Sequence, residues 1–283
     1  MLPRGRVRRR SPARAALPAV FLVLIVGLTA CGREESSVGA EAPLVVGCDT
    51  NFMPFEFERD GEFVGFDIDL WDAISKDLGR TYELRPMDFN GLIPALQAQT
   101  VDVAMAGITI KSERERVVDF SYPYYRAGLA LLVRADEVEV RTVEDLAERK
   151  VAARLATTSA DFAKSRTPAS DVVLFPNIDG AYMELLNGGV DAVLFDSPAV
   201  RYYAATAGKG AVKVVGPLYD GQTYGFAFPQ GSPLREQVDI ALLGLIEDGR
   251  YDDLHDRWFG SGPGAGGATT GGAEAGSAGT PPL

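Results

Sequence analysis

The chain has 283 residues, 46% of them hydrophobic and 24% charged, an ordinary globular composition with material for about two domains. The formal charge is −11 and unevenly spread: six Arg and no acid fall within residues 1–30, leaving 22 basic against 39 acidic residues beyond them. An acidic body without a stripe of Lys and Arg repels phosphate backbones, so nucleic-acid binding is excluded.

Residues 1–31 read as an export signal. The Arg-rich start leads into Ala15–Leu28, an apolar run shorter than the ~20 residues of a comfortable membrane span. It ends in Leu28-Thr29-Ala30-Cys31, and small residues directly before a cysteine resemble the bacterial lipobox, where that cysteine is diacylated and becomes the mature N-terminus. Two acyl chains hold a protein on a membrane surface without spanning it. The competing reading is a transmembrane anchor that merely contains a cysteine. Residues 32–42 are polar and are expected to act as a tether. With Cys31 lipidated, Cys48 has no partner and reads as a small buried strand residue.

The body alternates strands and helices. Leu44–Cys48 is a short apolar run, read as a strand. Phe55–Val64 alternates around Asp60-Gly61, a hairpin signal. Asp67 then opens a helix carrying Ile68, Trp71, Ile74 and Leu78 on one face, stopped by Gly79. A strand at Tyr82–Pro86, a helix over Gly91–Ala98 and a strand over Val101–Ile108 complete a βαβαβ series, which predicts parallel strands with right-handed crossovers.

After a strand at Leu129–Val133 comes a second series. Its expected helices are Val143–Ala147, Ala160–Lys164, Gly180–Leu186 and Pro198–Ala207; its strands are Lys150–Ala153, Val172–Phe175, Asp191–Phe195 and Val212–Val215. Thr223–Phe228 and two amphipathic helices, Leu234–Ile246 and Tyr251–Trp258, close the body. Residues 260–283 are rich in Gly and are expected to be disordered. Within them Gly262 to Gly267 matches G-x-G-x-x-G, but no strand precedes it, so the match is accidental.

Ligands collect at the carboxyl ends of strands in open α/β sheets, which directs attention to Asp49, Gly107–Thr109, Arg154–Thr158 and Asp196. Each also has a plain structural reading. Asp49 could cap a turn, Arg114 could belong to a solvated charged turn, and Asp196-Ser197-Pro198 could simply start a helix. Phe52 and Phe89 could be core residues.

Order and spacing make the set specific. Leu44-Val-Val-Gly-Cys-Asp-Thr-Asn-Phe-Met-Pro-Phe-Glu-Phe57, Gly65-Phe-Asp-Ile-Asp-Leu-Trp71, Met87-Asp-Phe-Asn-Gly-Leu-Ile-Pro94 and Ala106-Gly-Ile-Thr-Ile-Lys-Ser-Glu-Arg114 resemble the polar amino-acid solute-binding proteins of ABC importers, glutamine binders in particular. So do Phe175-Pro-Asn-Ile-Asp-Gly180, Asp191-Ala-Val-Leu-Phe-Asp-Ser-Pro198, Gln222-Thr-Tyr-Gly-Phe226 and Trp258-Phe-Gly260. The resemblance implies an α/β, two-lobed, type II periplasmic-binding-protein fold, each lobe a mostly parallel sheet flanked by helices. Lobe one would be 43–125 plus 224–259 and lobe two 129–220, with crossings near Tyr125–Gly128 and Gly221–Tyr224.

The resemblance also implies roles. Arg114 would grip the ligand α-carboxylate, helped by Thr109 and Thr158; Asp196 and the Gly107 carbonyl would take the α-ammonium; Phe52 and Phe89 would wall the side chain. At the far end, Arg154 and Phe195 stand where glutamine binders have Lys and His, and Ala156-Thr157-Thr158 replaces a Gly-Thr-Gly turn. If Asp49, Arg154, Arg114 and Asp196 all line the site their charges cancel, which favours a neutral side chain: glutamine first, another neutral polar amino acid second. Glutamine could also offer its amide NH₂ to Asp49 and its carbonyl to Arg154. The expected partners are the amino acid, an ABC permease and through it the ATPase, and a membrane through the Cys31 lipid; the protein is expected to be monomeric, without cofactor or metal, outside the cytoplasmic membrane. The rival functions are a sensory amino-acid binder and a dehydratase-like enzyme on the same fold. The single histidine, His255, sits in the terminal helix, and the candidate carboxylates already have ligand-charge roles.

Overall fold

A computed structural model describes residues 41–260; the signal segment with Cys31, nearly all of the tether and the tail after Gly260, with its accidental glycine motif, lie outside the described residues. In chain order the first part contains β1 (Leu44–Cys48), β2 (Asn51–Phe52), β3 (Glu56–Arg59), β4 (Glu62–Val64), α1 (Phe66–Asp77), β5 (Tyr82–Pro86), α2 (Phe89–Gln97), β6 (Val103–Met105), α3 (Ser112–Glu115) and β7 (Val118–Phe120). The long β8 (Tyr125–Arg134) leads to a short 3-10 turn at Val143–Leu146, then β9 (Lys150–Arg154), α4 (Thr158–Arg166), β10 (Asp171–Phe175), α5 (Ile178–Asn187), β11 (Ala192–Asp196), α6 (Ser197–Ala205) and β12 (Val212–Tyr224). The chain returns through β13 (Ala227–Pro229) to α7 (Leu234–Glu247) and α8 (Arg250–Phe259).

Two five-stranded sheets result, ordered β5-β1-β6-β13-β7 and β10-β9-β11-β8-β12. Within the first, β1 runs parallel to β5 and β6, as the βαβαβ order predicts, whereas β13 enters antiparallel. Within the second, β9 is parallel to β10 and β11, and β8 is antiparallel to both its neighbours. β8 and β12 pair from Tyr125–Tyr224 to Arg134–Val212, so the two crossings between lobes form one antiparallel ribbon. Rings stack around its base: Phe55 packs on Tyr125 at 4.9 Å, Tyr125 on Tyr224 at 5.8 Å, and Phe66 on Phe259 at 5.3 Å. Such pairs add about 0.5–1.5 kcal/mol each beyond area burial, which ties the terminal helix to the crossing.

Local chemistry accounts for most elements. Asp60 and Gly61 both adopt positive φ, +58° and +84°, the geometry of a type I′ hairpin turn. Asn177 caps α5 by accepting from the Gly180 N–H, and Gly188 ends it at φ +78°. Pro198 lies in the first turn of α6, where its missing N–H costs nothing.

Some expectations shift. The helix expected to open at Asp67 begins one residue earlier, with Gly65 outside it, and Asp67 is fully buried. Its Oδ2 accepts from the Gly107 N–H at 3.1 Å and the Tyr124 hydroxyl at 2.7 Å, so it braces the next loop instead of capping the helix. The Val101–Ile108 strand shortens to Val103–Met105 because the chain turns at Gly107, φ +49°. The run over 212–215 extends through Gly216-Pro217 to Tyr224 as one 13-residue strand, its register shifting after Val215 where proline has no N–H to give the ladder. β2, α3 and β7 were not expected from the sequence. His255 is buried among aromatic rings, and burial pushes its pKa down.

Candidate functional site

The carboxyl ends of β1, β6, β9 and β11 face one another across the two sheets. Of the nine positions expected from sequence, eight line one narrow cleft: Phe52, Phe89, Gly107, Thr109, Arg114, Arg154, Thr158 and Asp196. Asp49 joins them through an ion pair with Arg154. In the first lobe β2 supplies Phe52, the loop after β6 supplies Gly107 and Thr109, α2 supplies Phe89, and α3 supplies Arg114; the second lobe supplies Arg154 at the tip of β9, Thr158 at the start of α4 and Asp196 at the tip of β11.

Arg114 is buried, and its guanidinium reaches only backbone oxygens: Nη1 donates to Thr109 O at 2.9 Å and Nη2 to Ala156 O, in the other lobe, at 3.3 Å. No carboxylate among the described residues pairs with it within 4.0 Å. Burial pushes its pKa down; the more distant Asp196, Asp161 and Glu113 pull it back up. Asp196 is its counterpart. Burial pushes that carboxyl up to about 6, against the opposing pull of the Tyr224 hydroxyl, Arg114 and Arg154. Its Oδ1 has no hydrogen-bond partner among the described residues. One cleft therefore holds a buried cation and a buried anion that do not neutralise each other by contact.

The far end is already matched. Arg154 Nη1 pairs with Asp49 Oδ2 with both side chains almost fully buried, and Arg154 Nε donates to Pro176 O at 3.2 Å. The two groups read from sequence as separate contacts for a ligand amide are joined to each other across the lobes. The Phe89 ring lies beneath both guanidinium groups, 5.3 Å from Arg114 Cζ and 5.5 Å from Arg154 Cζ, a cation–π arrangement that holds both in place. Phe52 packs edge-on to Phe195 at 5.9 Å and lies so close to Gly107 that a Cβ there would sit 2.3 Å from its ring.

Gln222 is the polar residue that sequence reasoning did not place in the site. From β12 its Oε1 accepts from the Thr109 hydroxyl at 2.9 Å and the Thr158 hydroxyl at 3.1 Å, joining both lobes to the crossing, and its buried Nε2 has no partner among the described residues. Its sequence signals were its place at the head of the Gln222–Phe226 motif and at the expected crossing near Gly221–Tyr224, which gave it no contact. Among the described residues no three His, Cys, Asp or Glu side chains come together as a metal site. Cys48 lies buried at the end of β1, its thiol pushed up to about 12, chiefly by burial and then by the neighbouring Asp49 charge.

Two α/β lobes, a strand ribbon between them and a charged cleft where their strand ends meet define a clamp-type binding protein. The chain belongs to the bacterial extracellular solute-binding proteins, family 3, whose family model matches residues 44–261. Its fold is the type II periplasmic-binding-protein fold. It is similar to the arginine-, lysine-, histidine-binding protein of the thermophilic bacterium Geobacillus stearothermophilus, with 36% identity and TM-score 0.75 over 79% of this chain and 97% of that one. It is also similar to an ancestral arginine-binding protein solved bound to glutamine, with 42% identity and TM-score 0.74 over 77% and 98%. The ABC transporter glutamine-binding protein of Bacillus subtilis (strain 168) is 29% identical over 265 residues, 86% of this chain and 96% of its own length.

Proposed function

We propose that this protein captures a free amino acid between its lobes outside the cytoplasmic membrane and hands it to an ABC permease driven by its ATPase, and that glutamine is the preferred ligand. The observation that carries this reading is the pair of buried, mutually unpaired charges in one cleft. Arg114 offers two N–H groups to an α-carboxylate, Asp196 accepts an α-ammonium, and a zwitterion satisfies both at once. Gly107, Thr109 and Thr158 supply further polar contacts around the same head group, and Phe52 and Phe89 flank the aliphatic part of the side chain. A ligand held by both lobes binds the closed arrangement better than the open one, and that difference shifts the population.

The neutral side chain is argued from the far end. Asp49 and Arg154 sum to zero and satisfy each other, so an additional charge on the ligand would lie buried without a partner, at a cost of several kcal/mol as an order of magnitude. A primary amide can bond to both members of the pair without adding charge. The relatives are named for both kinds of ligand, and the balanced pair supports the neutral one. Lipid anchoring at Cys31 is supported by the lipobox resemblance, and the binding-protein reading, not an enzymatic one, by the family.

The test is thermal unfolding of the ligand-stripped protein against each of the twenty amino acids. At ~100 times Kd, linkage gives about 2.7 kcal/mol, a rise of roughly 5–10 °C for a body of this size. Glutamine is expected to give the largest rise. A larger rise with arginine or glutamate overturns the neutral-pocket argument, and no rise with any amino acid overturns the transport reading.

A further inference from the structure

We infer a second ligand site between the two lobes, shaped for a small aromatic amine. A separate cavity there encloses about 430 Å³ of non-atom space, part of it open to solvent, and it shares no lining residue with the amino-acid cleft. Both lobes build it. Asn51 and Met53 come from the first lobe; Asp179, Tyr182, Ala199 and Tyr203 come from α5 and α6 of the second.

The lining states what fits. Tyr182 and Tyr203 stack with ring centroids 3.9 Å apart and planes 11° apart, giving one wall an aromatic surface. The Tyr182 hydroxyl is buried with no hydrogen-bond partner among the described residues. Asp179 is the only charged side chain in the lining, and only one of its oxygens is taken, by the Asn51 amide at 3.0 Å. A ring against the tyrosines with an ammonium beside Asp179 matches both the apolar wall and the single negative charge, whereas an anionic ligand would face that charge and an acidic body.

Because Asn51 and Met53 belong to one lobe and the tyrosines to the other, an occupant of this site favours the closed arrangement. The coupling rests on the amino-acid reading given above; the site itself does not. Two ligands that favour the same state tighten each other by the same factor.

Calorimetric titration with 2-phenylethylamine, with and without saturating glutamine, tests this. One equivalent is expected to bind in both conditions, about fivefold or more tightly when glutamine is present, since coupling of this kind spans roughly 5–150-fold. The uncharged 2-phenylethanol is expected to bind at least about tenfold more weakly, and Asp179→Asn is expected to abolish that difference. Thr206→Trp, which places an indole at the exposed rim, is expected to abolish amine binding and leave glutamine binding unchanged. No heat with the amine at millimolar concentration, displacement of glutamine by the amine, or full amine binding in Thr206→Trp would each overturn the site. Amine binding to a protein that ignores glutamine would leave the site standing and remove the transport reading instead.

Discussion

Replacing Asp196 with Asn separates what this carboxylate does for a ligand from what it costs the empty fold. Burial raises its pKa from the usual 3.8 to about 6, so the folded chain keeps the proton over a range where the unfolded chain has lost it. The favourable contribution of the protonated carboxyl is fully present below 3.8 and is lost as pH rises through about 6. The shift corresponds to about 3 kcal/mol of destabilisation of the ligand-free protein at neutral pH. Urea denaturation of ligand-stripped wild type and Asp196→Asn, from pH 4 to 7.5, reads this directly. The variant is expected to be the more stable protein at pH 7.5 by about 2–3 kcal/mol, with the two curves converging near pH 4. The buried carboxyls of Asp67 and Glu56, also pushed up by burial, are present in both proteins and cancel in the difference. Calorimetry on the same samples is expected to show glutamine binding weakened roughly a hundredfold or more, because the ammonium loses its buried partner. Wild-type affinity should itself fall about tenfold between pH 7 and pH 5 as Asp196 takes up its proton. A variant that unfolds at lower urea than wild type at pH 7.5 would refute the argument, since burial would then not be straining the carboxylate.

Two further changes follow from the far end of the cleft and from its floor. Asp49→Asn leaves Arg154 without its carboxylate and is expected to move preference from glutamine toward glutamate, while Arg154→Gln leaves Asp49 alone and moves it toward arginine or lysine. Competition calorimetry among the four amino acids reads both shifts, and an unchanged preference in both variants would mean the pair does not meet the side chain. Gly107→Ala forces a Cβ onto the Phe52 ring at φ +49°; it is expected to lower stability by about 1–3 kcal/mol and to abolish glutamine binding, as read by thermal midpoint and calorimetry.

The cleft was legible in the sequence because its residues sit at strand ends, where parallel α/β order brings loops together whatever the detailed packing. Position alone placed Asp49, Gly107, Arg154 and Asp196 at those ends, but the pairing of Asp49 with Arg154 was not readable, because 105 residues separate two side chains that meet only across the lobes. Gln222 escaped notice for a related reason: its threonine partners are 113 and 64 residues away, and nothing local marks a strand glutamine as a bridge. Asp67 carried a misleading local signal. An acid before an apolar helical face looks like a helix start, and only the approach of Gly107 and Tyr124 reveals a buried brace. The antiparallel entry of β8 and β13 was hidden because apolar alternation reads the same in either direction.

Cys48 opens a different use of the molecule. Thiol labelling requires the thiolate, and a buried thiol held at about 12 at the end of β1 supplies almost none at neutral pH. A chain beginning at residue 41 therefore starts with a silent background for maleimide chemistry. One engineered cysteine on each lobe, for example in place of exposed Val117 and exposed Met183, would carry a fluorophore pair whose separation reports opening and closing one molecule at a time. Lobe motion could then be timed as an amino acid arrives and leaves, without first having to remove a native thiol from the core.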